Sequence, residues 1–363
     1  MILTSSTRRH VLIIGGGIIG RTAAWHLLQR GHEVSLVDPD LGCQRPDSGS
    51  AAALGLLMAQ VFHRASGRAW RLRQRSLSLW EQWIAQLQER GHPVAFKRGL
   101  LLLASSANEL ERQQALVAER QAMGMALELW PAERLEALQP ALPQATGALW
   151  SPADGQIDPL LVLQALSDEL LRGGASLHQQ SAVDLKALSQ GHWQVQLSDG
   201  NSLHSAMVVL CAGSGTAPLL QSLGLAPALE PVLGQAVELC SNKADAPWSW
   251  SPDWPAAAVW QGINLVPRPK GQLWLGATLE PGHQAGAAAL ETMTSLNGHA
   301  PGWLQQCQRL RQWQGLRMRP QGRPAPWLEP LAPGLLLAAG HYRNGLLLAP
   351  ATAEWISAQV ETG

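Results

Sequence analysis

Between His10 and Asp38 the chain reads HVLIIGGGIIGRTAAWHLLQRGHEVSLVD. A short β-branched run meets a glycine cluster, a segment of helical period follows, and a turn at Gly31 leads into a second β-branched run. That order is a βαβ unit. Gly15, Gly17 and Gly20 satisfy GxGxxG at the junction of strand and helix. The first glycine permits the tight turn, the second lets the backbone approach a pyrophosphate, and the third lets helix and strand pack closely, with the positive helix end toward the phosphate charge. Ile18 and Ile19 open that helix, and Asp38 closes the second strand where an acid accepts hydrogen bonds from an adenosine ribose. Together these residues indicate a dinucleotide site. An acid at Asp38 disfavours a 2′-phosphate but does not separate NAD from FAD, which share the adenosine half.

Composition removes several alternatives. The chain has 363 residues, enough for two domains. Lys plus Arg (27) balances Asp plus Glu (27), so no strong field draws in nucleic acid or an anionic membrane. No apolar run approaches the ~18 residues of a membrane span, and a soluble protein is expected. Cys43, Cys211, Cys240 and Cys307 are isolated, fitting neither a disulfide framework nor a CxxC pair, which makes a reducing cytoplasm the expected compartment. Arg8 and Arg9 before the apolar run resemble a twin-arginine export signal, but Gly15, Gly16 and Gly17 interrupt its hydrophobic core. Trp supplies 16 residues against two Phe and the single Tyr342, a bias for which the sequence offers no physical reason.

After the βαβ unit, DSGSAAALGLLMAQ (residues 47–60) is a run of small residues that lets a bulky group lie against the backbone, although by itself it reads equally as a flexible loop entering a helix. Residues 67–90 carry Trp70, Leu72, Leu77, Trp80, Ile84 and Leu87 at helical period, an amphipathic helix. Residues 94–105 read as two strands about a turn at 97–99, and 108–125 and 132–138 as helices. Over 147–170 a polar loop is expected to lead to Asp158 as N-cap, Pro159 in the first turn and an apolar helix, so Asp158 has a structural rather than a catalytic role. WQVQLSDGNSL predicts a hairpin, and SAMVVLCAGSGT a buried strand returning to the nucleotide sheet. Strands then follow around 235–240, 257–260, 264–267 and 272–277, and a helix over 287–307. The end of the chain predicts a strand, a glycine-flanked loop at 340–345 and a closing helix. Taken alone, Arg317 and Arg319 among Arg309, Arg311 and Arg323 read as a solvated basic helix face.

VLIIGGGIIG, SAAALGLLM, DGQIDPLLVLQAL, VVLCAG, VPRPKGQLWLGAT, GLR at residues 315–317 and GHYRNGLLLAPATA occur in this order. Together they resemble the FAD-dependent D-amino acid oxidase superfamily, with bacterial glycine oxidases of thiamine biosynthesis the nearest group. The resemblance implies an α/β chain with an α+β substrate domain: a discontinuous Rossmann-like FAD-binding domain over 8–90, 145–220 and 315–360, and a mixed-sheet substrate-binding domain over 91–144 and 221–314. It implies non-covalent FAD, an amino acid or small amine as substrate, oxidative deamination with hydride passing from the substrate α-carbon to flavin N5, and molecular oxygen reduced to hydrogen peroxide. A homo-oligomer is compatible with it. Two alternatives stand beside this activity: a dehydrogenase of the same fold passing electrons to a quinone or carrier, and a non-catalytic FAD-binding protein.

On the resemblance, Arg317 holds the substrate carboxylate and Arg343 lies at the rim of the active site. A guanidinium fork grips a carboxylate through two parallel hydrogen bonds that a Lys does not duplicate. Cofactor contacts are expected from Gly15, Gly17, Ile18, Ile19, Gly20 and Asp38, from Ser50, Ala51, Ala52, Ala53, Gly55 and Leu56, from Val183, Ala212 and Gly213, and from Gly340, His341, Arg343, Asn344, Gly345 and Leu346. His341 and Tyr342 are expected to pack in their loop rather than carry protons. The pattern departs from glycine oxidases at Asn264, where a substrate-touching tyrosine is common, at Leu279, where a methionine often stands, and at Met318 and Arg319, in place of Pro and Gly. Asn264 keeps a hydrogen-bond donor, and its shorter side chain leaves room for a substrate larger than glycine.

Overall fold

The apolar residues of strand His10–Ile14 serve two faces. Val11 and Ile13 pack into one hydrophobic cluster, Leu12 and Ile14 into another, as the alternation of a strand covered on both sides requires. In the computed structural model, which describes residues 8–42, 45, 48–226, 228–241 and 249–362, this strand lies inside a six-stranded sheet. Cys43 and Asp47 fall outside the described residues. Across the sheet the order is Trp327–Ala332, Leu335–Ala339, Met207–Leu210, His10–Ile14, Glu33–Val37 and Ser176–His178, parallel except for the first pair. Helices Ile18–Gln29, Gly67–Glu89, Pro159–Arg172 and Gly345–Thr362 contribute to the cluster on one face. A three-stranded antiparallel sheet, Ala182–Ala187, Trp193–Leu197 and Ser202–Ser205, covers the other.

A second, ten-stranded sheet runs through Leu229–Cys240, Gln272–Gly276, Ile263–Arg268, Ala257–Trp260, Phe96–Ala104, Gly147–Ile157 and Leu56–Leu57. Gln308–Pro320 pairs with Leu229–Cys240 along nearly its whole length. The two sheets together give the mixed α/β architecture that the sequence predicts.

Four local expectations are corrected. Residues 94–105 form one strand, Phe96–Ala104, because Gly99 is absorbed as an irregularity between Arg98 and Leu100 instead of a turn. The polar loop expected from 147 is strand Gly147–Ile157, whose polar side chains are buried and bonded. The helix expected over 287–307 is two short helices, Ala287–Thr294 and Gly302–Gln305, broken where Leu296 and Asn297 adopt positive φ. The basic helix face read around Arg317 is likewise a strand, Gln308–Pro320. Asp158 caps its helix as expected, accepting from the N–H groups of Leu160 and Leu161 at 2.9 and 3.1 Å.

The tryptophans find a physical use. Indole N–H groups tie distant segments by donating to backbone carbonyls: Trp80 to Leu346, Trp193 to Pro333, Trp254 to Pro140, Trp260 to Leu296, Trp303 to Ala141 and Trp313 to Ala52. Each supplies a large apolar body and one satisfied donor between layers.

Candidate functional site

A cavity of about 760 Å³ begins at the carboxyl ends of the parallel strands and continues against the ten-stranded sheet. Ile14, Val37, Cys211 and Ala339, at or just beyond those ends, all line it, as expected where an open parallel sheet holds a nucleotide.

The glycine loop is tight enough to exclude side chains. A Cβ on Gly15 would meet the backbone of Cys211 and Ala212, and one on Gly20 would meet the Gly15 carbonyl oxygen. Gly20 therefore packs the helix against the loop and does not line the cavity, whereas Gly15, Gly17, Ile18 and Ile19 do. Asp38 accepts from the Gly16 and Asp40 amides at 2.6 and 2.7 Å, which fixes its carboxylate at the cavity wall. The first helical amide, Ile18 N–H, donates to Ser50 Oγ at 2.9 Å. Arg21, 2% exposed, donates to the carbonyls of Gly16, Leu41 and Leu163 and so clamps the loop from behind. Cys211 beneath it is no reactive thiol, since burial and the Asp38 charge push its pKa far up.

The small-residue run serves a close approach. Ser50, Ala52, Ala53, Gly55 and Leu56 line the cavity, while Ala51 sits in a turn with its N–H on Ser48 Oγ. Part of the smallness is for protein rather than ligand, because a Cβ on Gly315 would strike Ala52 and one on Gly49 would strike the Leu316 carbonyl. Ala212 and Gly213 line the cavity as well. Val183 is placed differently from the expectation: it is 54% exposed, and Ser181 and Ala182 line the cavity in its stead. The period-2 alternation of its strand turns Val183 away.

Gly340, His341, Arg343, Asn344, Gly345 and Leu346 all reach the cavity at the start of the last helix. Gly340 has φ +62°, and a Cβ there would strike Pro320. His341 is buried with Nε2 3.0 Å from Thr352 Oγ1, and burial with the nearby Arg68 charge pushes its pKa down to about 3. It is a neutral packing group, as expected. Arg343 is exposed at the rim, and among the described residues it has no ion pair.

Arg317 is the centre of the other half. Its strand partner residue is Val232, and its guanidinium lies over Gly234, where a Cβ would overlap it. Nη1 donates to the Thr278 carbonyl at 3.1 Å. Thr278 Oγ1 in turn accepts from Gln235 N–H at 2.8 Å and donates to Glu280, to which Gln235 Nε2 also donates at 2.9 Å. Burial opposes ionisation of Glu280, but these bonds and the Gly286 amide hold its pKa below the usual carboxylate value. Glu280 is therefore occupied, and no carboxylate among the described residues pairs with Arg317. Burial, reinforced by the Arg343 charge, brings Arg317 down to about 10, so it stays cationic at neutral pH. Asn264 and Leu279 line the same half, Leu279 with 48% exposure at its edge.

Sequence reasoning missed Gly234, although a glycine inside a strand signals close approach of another group. It also missed Asp154, whose fully buried carboxylate accepts from the amides of Ala59, Gln60 and Val61, and Arg120, which donates to the carbonyls of Gln60 and Phe62. Arg120 lies in no recognisable motif, whereas Asp154 opens DGQIDPLLVLQAL, where its turn-forming neighbours read as a polar loop.

A doubly wound sheet with a glycine cradle at its carboxyl edge, opening on a cavity that holds a fixed, partly buried cation, defines a dinucleotide-dependent enzyme. The comparisons with known proteins make the class specific. The family model of the DAO type, FAD dependent oxidoreductases, matches residues 10–359. Glycine oxidase of Geobacillus kaustophilus (strain HTA426) is 30% identical over 98% of this chain and 93% of its own length, and glycine oxidase of Bacillus subtilis (strain 168) is 27% identical over 96% and 93%. The crystal structure of the Geobacillus kaustophilus glycine oxidase superposes with a TM-score of 0.84 at 26% identity, over 98% of this chain and 95% of that one. The chain belongs to the DAO family of FAD-dependent oxidoreductases. The cradle fits FAD: Gly15 and Gly17 leave its wall bare of side chains, Asp38 is fixed for the ribose, and the cavity runs on past the first helix toward Arg317. Among the described residues no helix is long and apolar enough to cross a membrane.

Proposed function

We propose that the protein oxidises the C–N bond of an amino acid or small amine that carries a carboxylate, anchored by Arg317, with molecular oxygen as acceptor and an imine and hydrogen peroxide as products. The observation that carries this reading is the Arg317 guanidinium, partly buried on the cavity wall, fixed by the Thr278 carbonyl and by contact with Gly234, and without a carboxylate partner among the described residues. A cation in that state calls for an anionic ligand, and its planar fork suits a carboxylate.

In this reading residues 8–90, 145–220 and 315–360 form the FAD-binding domain, which also lends Arg317 to the substrate, and 91–144 and 221–314 form the substrate-binding domain. Bound there, FAD supplies the two-electron acceptor at its N5 position. Arg317 fixes the carboxylate, and with it the direction of the α-hydrogen. Asn264, on strand Ile263–Arg268 of the same sheet, donates or accepts one hydrogen bond to the amine side. No side chain in the cavity is required as a base, since the amine binds neutral and its nitrogen lone pair assists departure of the α-hydrogen. The amides at the start of helix Gly345–Thr362, on the cavity wall, would offer positive charge to bound FAD and so favour its reduction.

The test uses glycine, sarcosine, D-alanine and D-proline, each added to the yellow protein without oxygen before air is readmitted. Bleaching by one of them and rapid recovery with peroxide formation is the expected result; slow recovery in air would overturn oxygen as the acceptor in favour of a quinone or carrier. Arg317→Leu is expected to lower kcat/KM for that substrate at least about 100-fold, the loss of two charge-assisted hydrogen bonds worth ~1.5–3 kcal/mol each. A variant that kept full turnover would sink the assignment.

A further inference from the structure

The cavity wall holds a second guanidinium, and this one is buried. Arg73, on helix Gly67–Glu89, is 7% exposed and lines the same cavity as Arg317. Among the described residues its one protein hydrogen bond goes back to its own helix, Nη1 to Ala69 O at 3.1 Å. Among the described residues no carboxylate lies within ion-pair distance. Its guanidinium stacks 3.8 Å over the Phe62 ring, which fixes its plane and leaves the edge N–H groups for a ligand.

The surroundings are built rather than incidental. Phe62 closes a segment held from both sides, with Asp154 accepting from the amides of Ala59, Gln60 and Val61 at 2.7, 3.0 and 3.0 Å, and Arg120 donating to the carbonyls of Gln60 and Phe62 at 3.1 and 2.6 Å. Gln74, next to Arg73 in the chain, donates to the Ala59 carbonyl at 3.1 Å. Asp154 is the buried acid of this segment, and its oxygens are spent on those amides. Met58 and Val61 pack in one apolar cluster with Ala236 and Ala277 of the large sheet, the sheet that carries Asn264 and Arg317. Asp38 stands instead at the end of a strand of the six-stranded sheet, so Arg73 belongs to the substrate end rather than the adenosine end of the cavity.

We propose that Arg73 stacked on Phe62 is a second anion-binding position, and that the preferred substrates are amines carrying an acidic group at each end, one carboxylate on Arg317 and the other on Arg73. This rests on the reading of Arg317 as carboxylate anchor. It gives a physical use to the room left by Asn264, because a diacid is longer than glycine and needs both the space and a second cation. Burial lowers the Arg73 pKa, as it does for an arginine awaiting a counter-ion.

The test is made on the FAD-loaded protein. Acetate, malonate, succinate and glutarate are titrated while the visible flavin spectrum is followed, and kcat/KM is measured for sarcosine and for iminodiacetate. At least one dicarboxylate is expected to bind tenfold or more tighter than acetate, and iminodiacetate to exceed sarcosine in kcat/KM by a similar factor. Arg73→Met is expected to remove both advantages, and Arg73→Lys to restore part of them. Dicarboxylates that bind no tighter than acetate to the wild type overturn the proposal without any variant. Equal weakening of acetate and dicarboxylates in Arg73→Met overturns it too, because Arg73 would then act on the cofactor or the fold. The anchor is tested apart: acetate binding unchanged by Arg317→Leu defeats the reading of Arg317, whereas the dicarboxylate comparison reports on Arg73.

Discussion

Arg317 depends on a residue that has no chemistry of its own. Its guanidinium occupies the space above Gly234, on the adjacent strand, where any Cβ would overlap it. Gly234→Ala is expected to displace the guanidinium and weaken acetate binding about tenfold or more, ~1.4 kcal/mol, while FAD content is retained, since Gly234 belongs to the ten-stranded sheet and the glycine loop follows a strand of the other. Flavin-monitored acetate titration beside a cofactor assay checks this; undiminished acetate affinity would show that the close approach is dispensable. The sequence points to Arg317 only through GLR within a longer series of motifs. The four arginines around it, Arg309, Arg311, Arg319 and Arg323, by themselves suggest a helix, because charge density says nothing about which strand will pair with it. Gly234 carries the general signal of a glycine within a strand, but the group it makes room for lies far off in sequence.

At the scale of elements, strand Gly147–Ile157 shows how composition misleads. SPADGQ reads as a loop because Ser, Pro, Asp and Gly favour turns. In the fold Asp154 is fully buried on three amides, Ser151 Oγ accepts from Asp154 N–H, and Gln156 Nε2 donates to the carbonyls of Ala256 and Pro267. Tertiary partners thus convert turn formers into a buried strand. Asp154→Asn is expected to cost about 2 kcal/mol or more in urea unfolding, because the amide presents an N–H₂ to donors that need an acceptor. Burial raises the Asp154 pKa while the same amides pull it back, and the acceptor role survives in either protonation state for one oxygen only. A variant of unchanged stability would mean that the segment Ala59–Phe62 is held by Arg120 and packing alone.

The whole molecule places one cavity across two sheets. Strands Leu56–Leu57 and Gly147–Ile157, close in sequence to the nucleotide half, belong to the large sheet, so the chain crosses between the halves repeatedly. A cofactor lying along that cavity touches both sheets and therefore links their stabilities. Removal of FAD is expected to lower the thermal midpoint, and added FAD to raise it with the logarithm of its free concentration, by about 4 kcal/mol of stability at a thousandfold excess over Kd. Scanning calorimetry across an FAD series checks this; a midpoint independent of FAD would mean that the cofactor binds the unfolded chain as well or does not bind.

The sequence alone determined the nucleotide half. Its βαβ unit, glycine spacing, terminal acid and closing helix are local patterns, each set by residues a few positions apart, and the hairpin and helix cap at Asp158 are of the same kind. Only the tertiary structure decided the half of the cavity around Arg317. Arg317 over Gly234, Asp154 on the 59–61 amides and Arg73 on Phe62 are meetings of distant segments across strands and layers, and such meetings follow from sheet register and packing, which no local spacing encodes.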